Sequence, residues 1–148
     1  MIWWQKCYHS NMLYAVIDTN IFVGVCLGTG ASSKVVAMCL EGRIHALMGA
    51  ALMAEYEDVL GRAALFADCR LNAAERAELL DIFIAQTQLV RVYFGWQPNS
   101  RDEGDNHLVE LAVAGGANYI ITRNMRDFAG MDLHFPGLRL CTPEDFLF

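Results

Sequence analysis

A chain of 148 residues has room for one domain with one core. Its 17 acidic against 11 basic residues, a formal net charge of −6, argue against a passive nucleic-acid binder, which is usually basic. A hydrophobic fraction of 55% and a mean hydropathy of +0.26 predict a well-buried sheet with some apolar surface left for an interface.

Residues 1–11 read as an N-terminal extension ahead of a domain over residues 12–148, and Met12, directly before the first strand, is an alternative start. Behind Lys6 the polar break Cys7-Tyr8-His9-Ser10-Asn11 leaves no continuous apolar core for a signal peptide. Leu13–Ile17 is an apolar run ending at Asp18, the pattern of a strand buried on both faces. Asp18 and Asn20 interrupt the longest stretch before it approaches the roughly 18 apolar residues of a membrane span. Ser32 or Ser33 is placed to cap a helix carrying Val35, Val36, Cys39 and Leu40 that stops at Gly42. Ile44–Met48 predicts a second strand, and Gly49 precedes a helix through Leu60. Asn72 caps a longer helix with Ala73, Ala77, Leu80 and Ile84 as its apolar stripe. Residues 89–93 predict a third strand, 105–114 a helix ending at Gly115-Gly116, 118–122 a fourth strand and 138–141 a short fifth. Thr142-Pro143-Glu144-Asp145 has cap, proline and acids in the order that starts a final helical turn. The five cysteines (Cys7, Cys26, Cys39, Cys69, Cys141) are scattered without a CxxC pair, which favours reduced thiols in the cytoplasm over disulfides or a zinc site. Alternating strands and helices predict a three-layer α/β/α sandwich around a parallel sheet of about five strands. In such sheets ligands bind beyond the carboxyl ends of the strands.

Acids fall at that end. Asp18 closes the first strand, either as a functional carboxylate or as an Asx turn. Glu55 lies within the stripe Leu52, Tyr56 and Val59, so it needs a cation or hydrogen-bond donors, with a salt bridge as the bland alternative. Asp105 opens the inward stripe Leu108, Ala112 and Gly115, three residues after Asp102. Capping accounts for Asp102 and Glu103, worth about 1 kcal/mol, but less well for the register of Asp105. Asp127 follows the fourth strand and can cap a turn or pair with Arg126. Carboxylates gathered at one end of one sheet repel unless a divalent ion neutralises them, and hard oxygen donors favour Mg²⁺ or Mn²⁺. Such a cluster supports in-line hydrolysis of a phosphodiester.

The ordered segments Val16-Ile17-Asp18-Thr19-Asn20, Ala54-Glu55-Tyr56-Glu57-Asp58-Val59-Leu60, Arg101-Asp102-Glu103-Gly104-Asp105-Asn106-His107-Leu108, Tyr119-Ile120-Ile121-Thr122-Arg123-Asn124 and Thr142-Pro143-Glu144-Asp145-Phe146 together resemble the PIN-domain ribonucleases, which include the VapC-like toxins of toxin–antitoxin pairs. The resemblance runs over nearly the whole chain. It implies a metal-dependent endoribonuclease acting on RNA, with Asp18, Glu55 and Asp105 as metal-site acids and Asp102 an additional candidate. It also implies a supporting role for the Thr122 hydroxyl, and for Asn20 and Asn124 beside it. Many relatives carry an acid where Asn124 stands; the amide removes one charge, weakens the case for a second metal and makes Asp127 a substitute.

Other chemistries fit less well. An aspartyl-nucleophile phosphatase needs an acid at position 20, which is Asn; a receiver domain needs a late lysine, and none follows Lys34; Gly28-Thr29-Gly30 lacks the Gly-Lys-Ser/Thr of a phosphate loop. The rival from another class is a PIN-like protein-interaction module whose site is degraded at Asn124, favoured by the negative charge and by Trp3, Trp4, Phe146 and Phe148. Lys34, Arg101, Arg123 and Arg126 neighbour the proposed site and are candidates to contact phosphate, with a solvated surface charge the favoured reading for each. The four histidines (His9, His45, His107, His134) are dispersed, and none is assigned a catalytic role. A homodimer or an antitoxin helix or strand is the expected protein partner, and a membrane is not.

Overall fold

Three consecutive residues of β1 (Leu13–Ile17), Ala15, Val16 and Ile17, are at most 1% exposed. Successive strand residues point to opposite faces, so both faces of this strand are covered, as its continuous apolar run predicts. The computed structural model describes residues 12–92, 103–128 and 137–147, without the side chains of residues 103–106 and 127. The expectations for residues 1–11, among them Trp3 and Trp4, and for Arg101, Asp102 and Phe148 lie outside the described residues, as do the side chains of Asp105 and Asp127.

β1 sits at the centre of a parallel five-stranded sheet of order β3-β2-β1-β4-β5, with β2 at Ile44–Met48, β3 at Gln88–Leu89, β4 at Tyr119–Ile121 and β5 at Arg139–Cys141. The chain builds outward from β1 to β3, then returns to place β4 on the other side of β1. That return makes a topological switch between β1 and β4, where an open α/β sheet has a crevice at its carboxyl edge. The α/β/α architecture expected from the sequence is the one observed.

Local differences have physical causes. Residues 19–26 form a helix, α1 (Thr19–Cys26), that the sequence reading left out. Its β-branched residues and Gly24 have weak helix propensity, but burial of Ile21, Phe22 and Cys26 outweighs it, and the Asp18 side chain caps its first turn. α2 (Gly30–Leu40) starts earlier than a Ser32 or Ser33 cap requires, because Thr29 is the cap residue. Ser33 Oγ instead donates to Thr29 O at 2.9 Å, and Ser32 is fully buried. α3 (Ala50–Leu60) follows Gly49 as expected. α4 (Ala73–Ala85) carries a complete capping box between Asn72 and Glu75. Its inward stripe is Leu79, Leu80, Phe83 and Ile84, whereas Ala73 and Ala77 are exposed. β3 holds two residues, not five: its partner β2 ends at Met48, and after Val90 N donates to Met48 O at 2.8 Å there is no ladder left to extend. α5 (Glu103–Gly115) begins two residues before the expected start and ends at Gly116, whose φ of +68° suits glycine. α6 (Pro143–Leu147) opens on Thr142, whose Oγ1 accepts from Asp145 N at 3.1 Å. Phe146 is not a free surface aromatic, since it packs edge-on against Tyr119 with ring centroids 5.1 Å apart.

α1 and α2 approach closely at Gly24, where an added Cβ would lie 2.7 Å from Ser32 Oγ and 3.1 Å from Ser32 Cβ. Gly24→Ala therefore forces the buried serine to move, and overpacking of this kind costs about 1–3 kcal/mol. A lower thermal midpoint is the expected result, and an unchanged one would show that the two helices separate freely. Among the described residues, no single helix is long and apolar enough to cross a membrane.

Candidate metal centre

Asp18 leaves β1 at the switch point, and its backbone N–H still donates to Ile121 O of β4 at 3.0 Å. The side chain is 5% exposed yet meets donors on both oxygens. Oδ1 accepts from Thr19 N at 2.7 Å. Oδ2 accepts from Thr122 Oγ1 at 2.7 Å and from Asn20 Nδ2 at 3.2 Å. Thr122, the residue after β4, is itself fully buried and accepts from Asn20 Nδ2 at 3.2 Å and Asn124 N at 3.0 Å. Asn20 Oδ1 in turn accepts from Arg123 N at 3.1 Å. These bonds tie the carboxyl ends of β1 and β4 into one polar network, in which every described donor is neutral.

Glu55 reaches the same place from α3. Its neighbours Leu52, Tyr56 and Val59 are buried, while Glu57 and Asp58 face solvent, so the inward register read from the stripe is the observed one. Tyr56 holds that register by donating to Ile17 O at 2.6 Å, one residue before Asp18. Thr19 Oγ1 lies 3.3 Å from Glu55 Oε1 and 3.4 Å from Asp18 Oδ1. The two carboxylates thus face one another across a single hydroxyl. Burial raises the Asp18 pKa; the Thr122 hydrogen bond opposes this, and the nearby Glu55 charge reinforces it.

One partner was missed by sequence reasoning. His107 of α5 places Nε2 2.6 Å from Glu55 Oε2. Its signal was available: His107 lies four residues before buried Leu111 and beside buried Leu108, the same stripe argument that singled out Glu55.

The arginines separate. Arg123 Nε and Nη2 donate to Ser32 Oγ at 3.2 and 2.9 Å, and Nη1 donates to Glu144 Oε1 at 3.0 Å. Its guanidinium thus links α2, the end of β4 and α6. Arg126 is exposed in a 3₁₀ turn, Met125–Phe128, that also contains Asp127. Lys34 is exposed on α2.

A hard divalent cation fits what is present. A buried carboxylate, Asp18, and a part-buried one, Glu55, share an oxygen-rich corner, and burial together with the nearby Glu55 charge disfavours the charged form of Asp18 unless positive charge is supplied. Among the described side chains, no group of three His, Cys, Asp or Glu is spaced to hold a metal ion. The third expected acid, Asp105, belongs to the first turns of α5, two residues before His107.

The fold has known counterparts. The VapBC2 structure from Rickettsia felis, bound to a DNA fragment from their promoter, superimposes with a TM-score of 0.57 at 14% identity, over 88% of this chain and 98% of that one. PAE2754 from Pyrobaculum aerophilum gives 0.55 at 13% identity, over 91% and 87%. No protein of curated function matches the sequence. The PIN domain family matches residues 14–126, a span that begins in β1, includes Asp18, Glu55, His107 and Thr122, and ends in the turn after β4. The chain therefore belongs to the PIN domain family.

Proposed function

We propose that this protein is a metal-dependent endoribonuclease, the toxin component of a toxin–antitoxin pair acting in the cytoplasm, with residues 12–148 as its nuclease domain. The observation that carries the reading is the pairing of Asp18 and Glu55 across the Thr19 hydroxyl at the sheet's switch point. Asp18, Glu55 and Asp105 would hold Mg²⁺ or Mn²⁺, with Asp102 and Asp127 as further acids. A bound divalent cation supplies Lewis acidity that offsets charge on the phosphate undergoing cleavage. Asn20, Thr122 and the Asn124 N–H keep Asp18 in place, and Arg126, with Arg101 and Arg123, would steer the RNA backbone. The resemblance to VapC-like toxins supports an antitoxin partner, and exposed Leu27, Leu89, Val92 and Met125 support an apolar contact with that partner or with a second copy.

The test is cleavage of RNA by the purified protein with and without Mn²⁺, set against Asp18→Asn. Metal-dependent cleavage that the variant lacks supports the reading. Cleavage that is equal in the variant, or absent from both, leaves the interaction module in its place.

Asn124 and Asp127 set the charge of the site. Asn124 supplies none, so three acids suffice for one cation and are marginal for two. Asn124→Asp is expected to tighten Mn²⁺ binding, and Asp127→Asn to weaken both binding and cleavage more than Asn124→Ala does. Titration of Mn²⁺ against the three variants checks this order. An inactive Asn124→Ala beside an unaffected Asp127→Asn would exchange the two roles.

A further inference from the structure

Glu55 has two carboxylate oxygens in different surroundings. Oε1 faces Thr19 Oγ1, and through it Asp18 Oδ1, at 3.3 and 3.4 Å. Oε2 is engaged by His107 Nε2 at 2.6 Å, from a helix 52 residues further along the chain. A glutamate side chain on a helix has three rotatable bonds, so a contact on one oxygen restricts where the other can sit. We infer that His107 is a positioning residue for Glu55: its Nε2–H holds Oε2 and thereby presents Oε1 to a cation shared with Asp18.

The ring geometry supports this direction. Only a ring with its proton on Nε2 can donate to the carboxylate. The other nitrogen, Nδ1, is buried and has no hydrogen-bond partner among the described residues. Among the described residues, the ring's hydrogen bond is therefore the one at Nε2, to Glu55 Oε2. Metal-ligating carboxylates are commonly held by hydrogen bonds of this kind, and loss of one lowers metal affinity about 10- to 100-fold. The inference rests on the proposed metal site and adds a residue to which neither composition nor the acidic pattern points.

The experiment is a calorimetric titration of Mn²⁺ into the full chain and into His107→Ala and His107→Gln, with thermal midpoints measured in parallel without metal. His107→Ala is expected to weaken Mn²⁺ binding about 10- to 100-fold, with a modestly lower metal-free midpoint that leaves the variant folded at the titration temperature. His107→Gln retains an N–H donor of similar reach and is expected to recover most of the affinity. An Ala variant that binds like the parent overturns the inference, as does a Gln variant no better than Ala. A parent that binds no Mn²⁺ overturns the metal site itself and the positioning role with it. Nitrogen-15 shifts of the imidazole in the metal-free protein give an independent readout. A proton on Nε2 is expected, and a ring carrying its only proton on Nδ1 would overturn the contact whatever the metal does.

Discussion

Asp18→Asn is expected to raise the thermal midpoint of the metal-free protein at neutral pH by a few degrees while lowering Mn²⁺-dependent RNA cleavage by about 10²-fold or more, the scale of losing one charge-stabilising group. Asp18 is almost wholly buried, and desolvation raises its pKa, with the Thr122 hydrogen bond opposing and the Glu55 charge adding. An acid whose folded pKa lies above its unfolded one is more protonated in the native state than in the unfolded state between those two values. Stability therefore falls as pH rises through that window, which opens at the ordinary aspartate pKa of about 4. The neutral amide removes this loss. An amide nitrogen in the place of Oδ2 cannot accept, so the variant gives up the bonds from Thr122 Oγ1 at 2.7 Å and Asn20 Nδ2 at 3.2 Å, and the higher midpoint is the result expected where the relieved burial outweighs them. The stability gap between variant and parent should close as pH drops below the ordinary aspartate range. Excess Mn²⁺ should reverse the order, because a ligand at 100 times its Kd stabilises the parent by about 2.7 kcal/mol and the variant hardly at all. Thermal scans across pH, with and without Mn²⁺, read both effects. A variant less stable than the parent at every pH without metal would show that the hydrogen bonds to Asp18 outweigh its burial.

Tyr56→Ala is expected to cost about 3–5 kcal/mol, the range for removing a large buried aromatic side chain. Tyr56 is 2% exposed, and its ring packs against Phe22 and Phe83 with centroids 6.0 and 5.9 Å away. The hydroxyl holds the end of β1 through Ile17 O at 2.6 Å. Burial first, and the neighbouring Asp18 charge next, push the phenol well above its usual range, so it stays a donor at any working pH. Against a typical total of about 5–15 kcal/mol, the Ala variant is expected to be partly unfolded at 37 °C, with a sharply lower urea midpoint. Tyr56→Phe keeps the packing and loses one hydrogen bond, about 1 kcal/mol. Because Glu55 is the preceding residue, Tyr56→Phe should also loosen Mn²⁺ binding slightly. Equal midpoints for the Phe and Ala variants would place the stabilisation in the hydroxyl and not in the ring.

The sequence by itself determined the features that depend on local pattern. The apolar run Leu13–Ile17 marked a strand buried on both faces, and the spacing of Leu52, Tyr56 and Val59 placed Glu55 inward, because strand and helix periods write burial directly into residue order. The ordered acidic segments were enough to point to the PIN domain family. Tertiary structure alone decided what depends on neighbours distant in the chain. It made a helix of residues 19–26 by burying Ile21 and Phe22, against their propensity, and it ended β3 at Leu89 because β2 had already turned into α3. It also set His107 on Glu55, and Arg123 on Ser32 and Glu144. Such pairings arise from the order of strands in the sheet and the packing of helices upon it, and residues 52 or 91 positions apart share no period that could announce them.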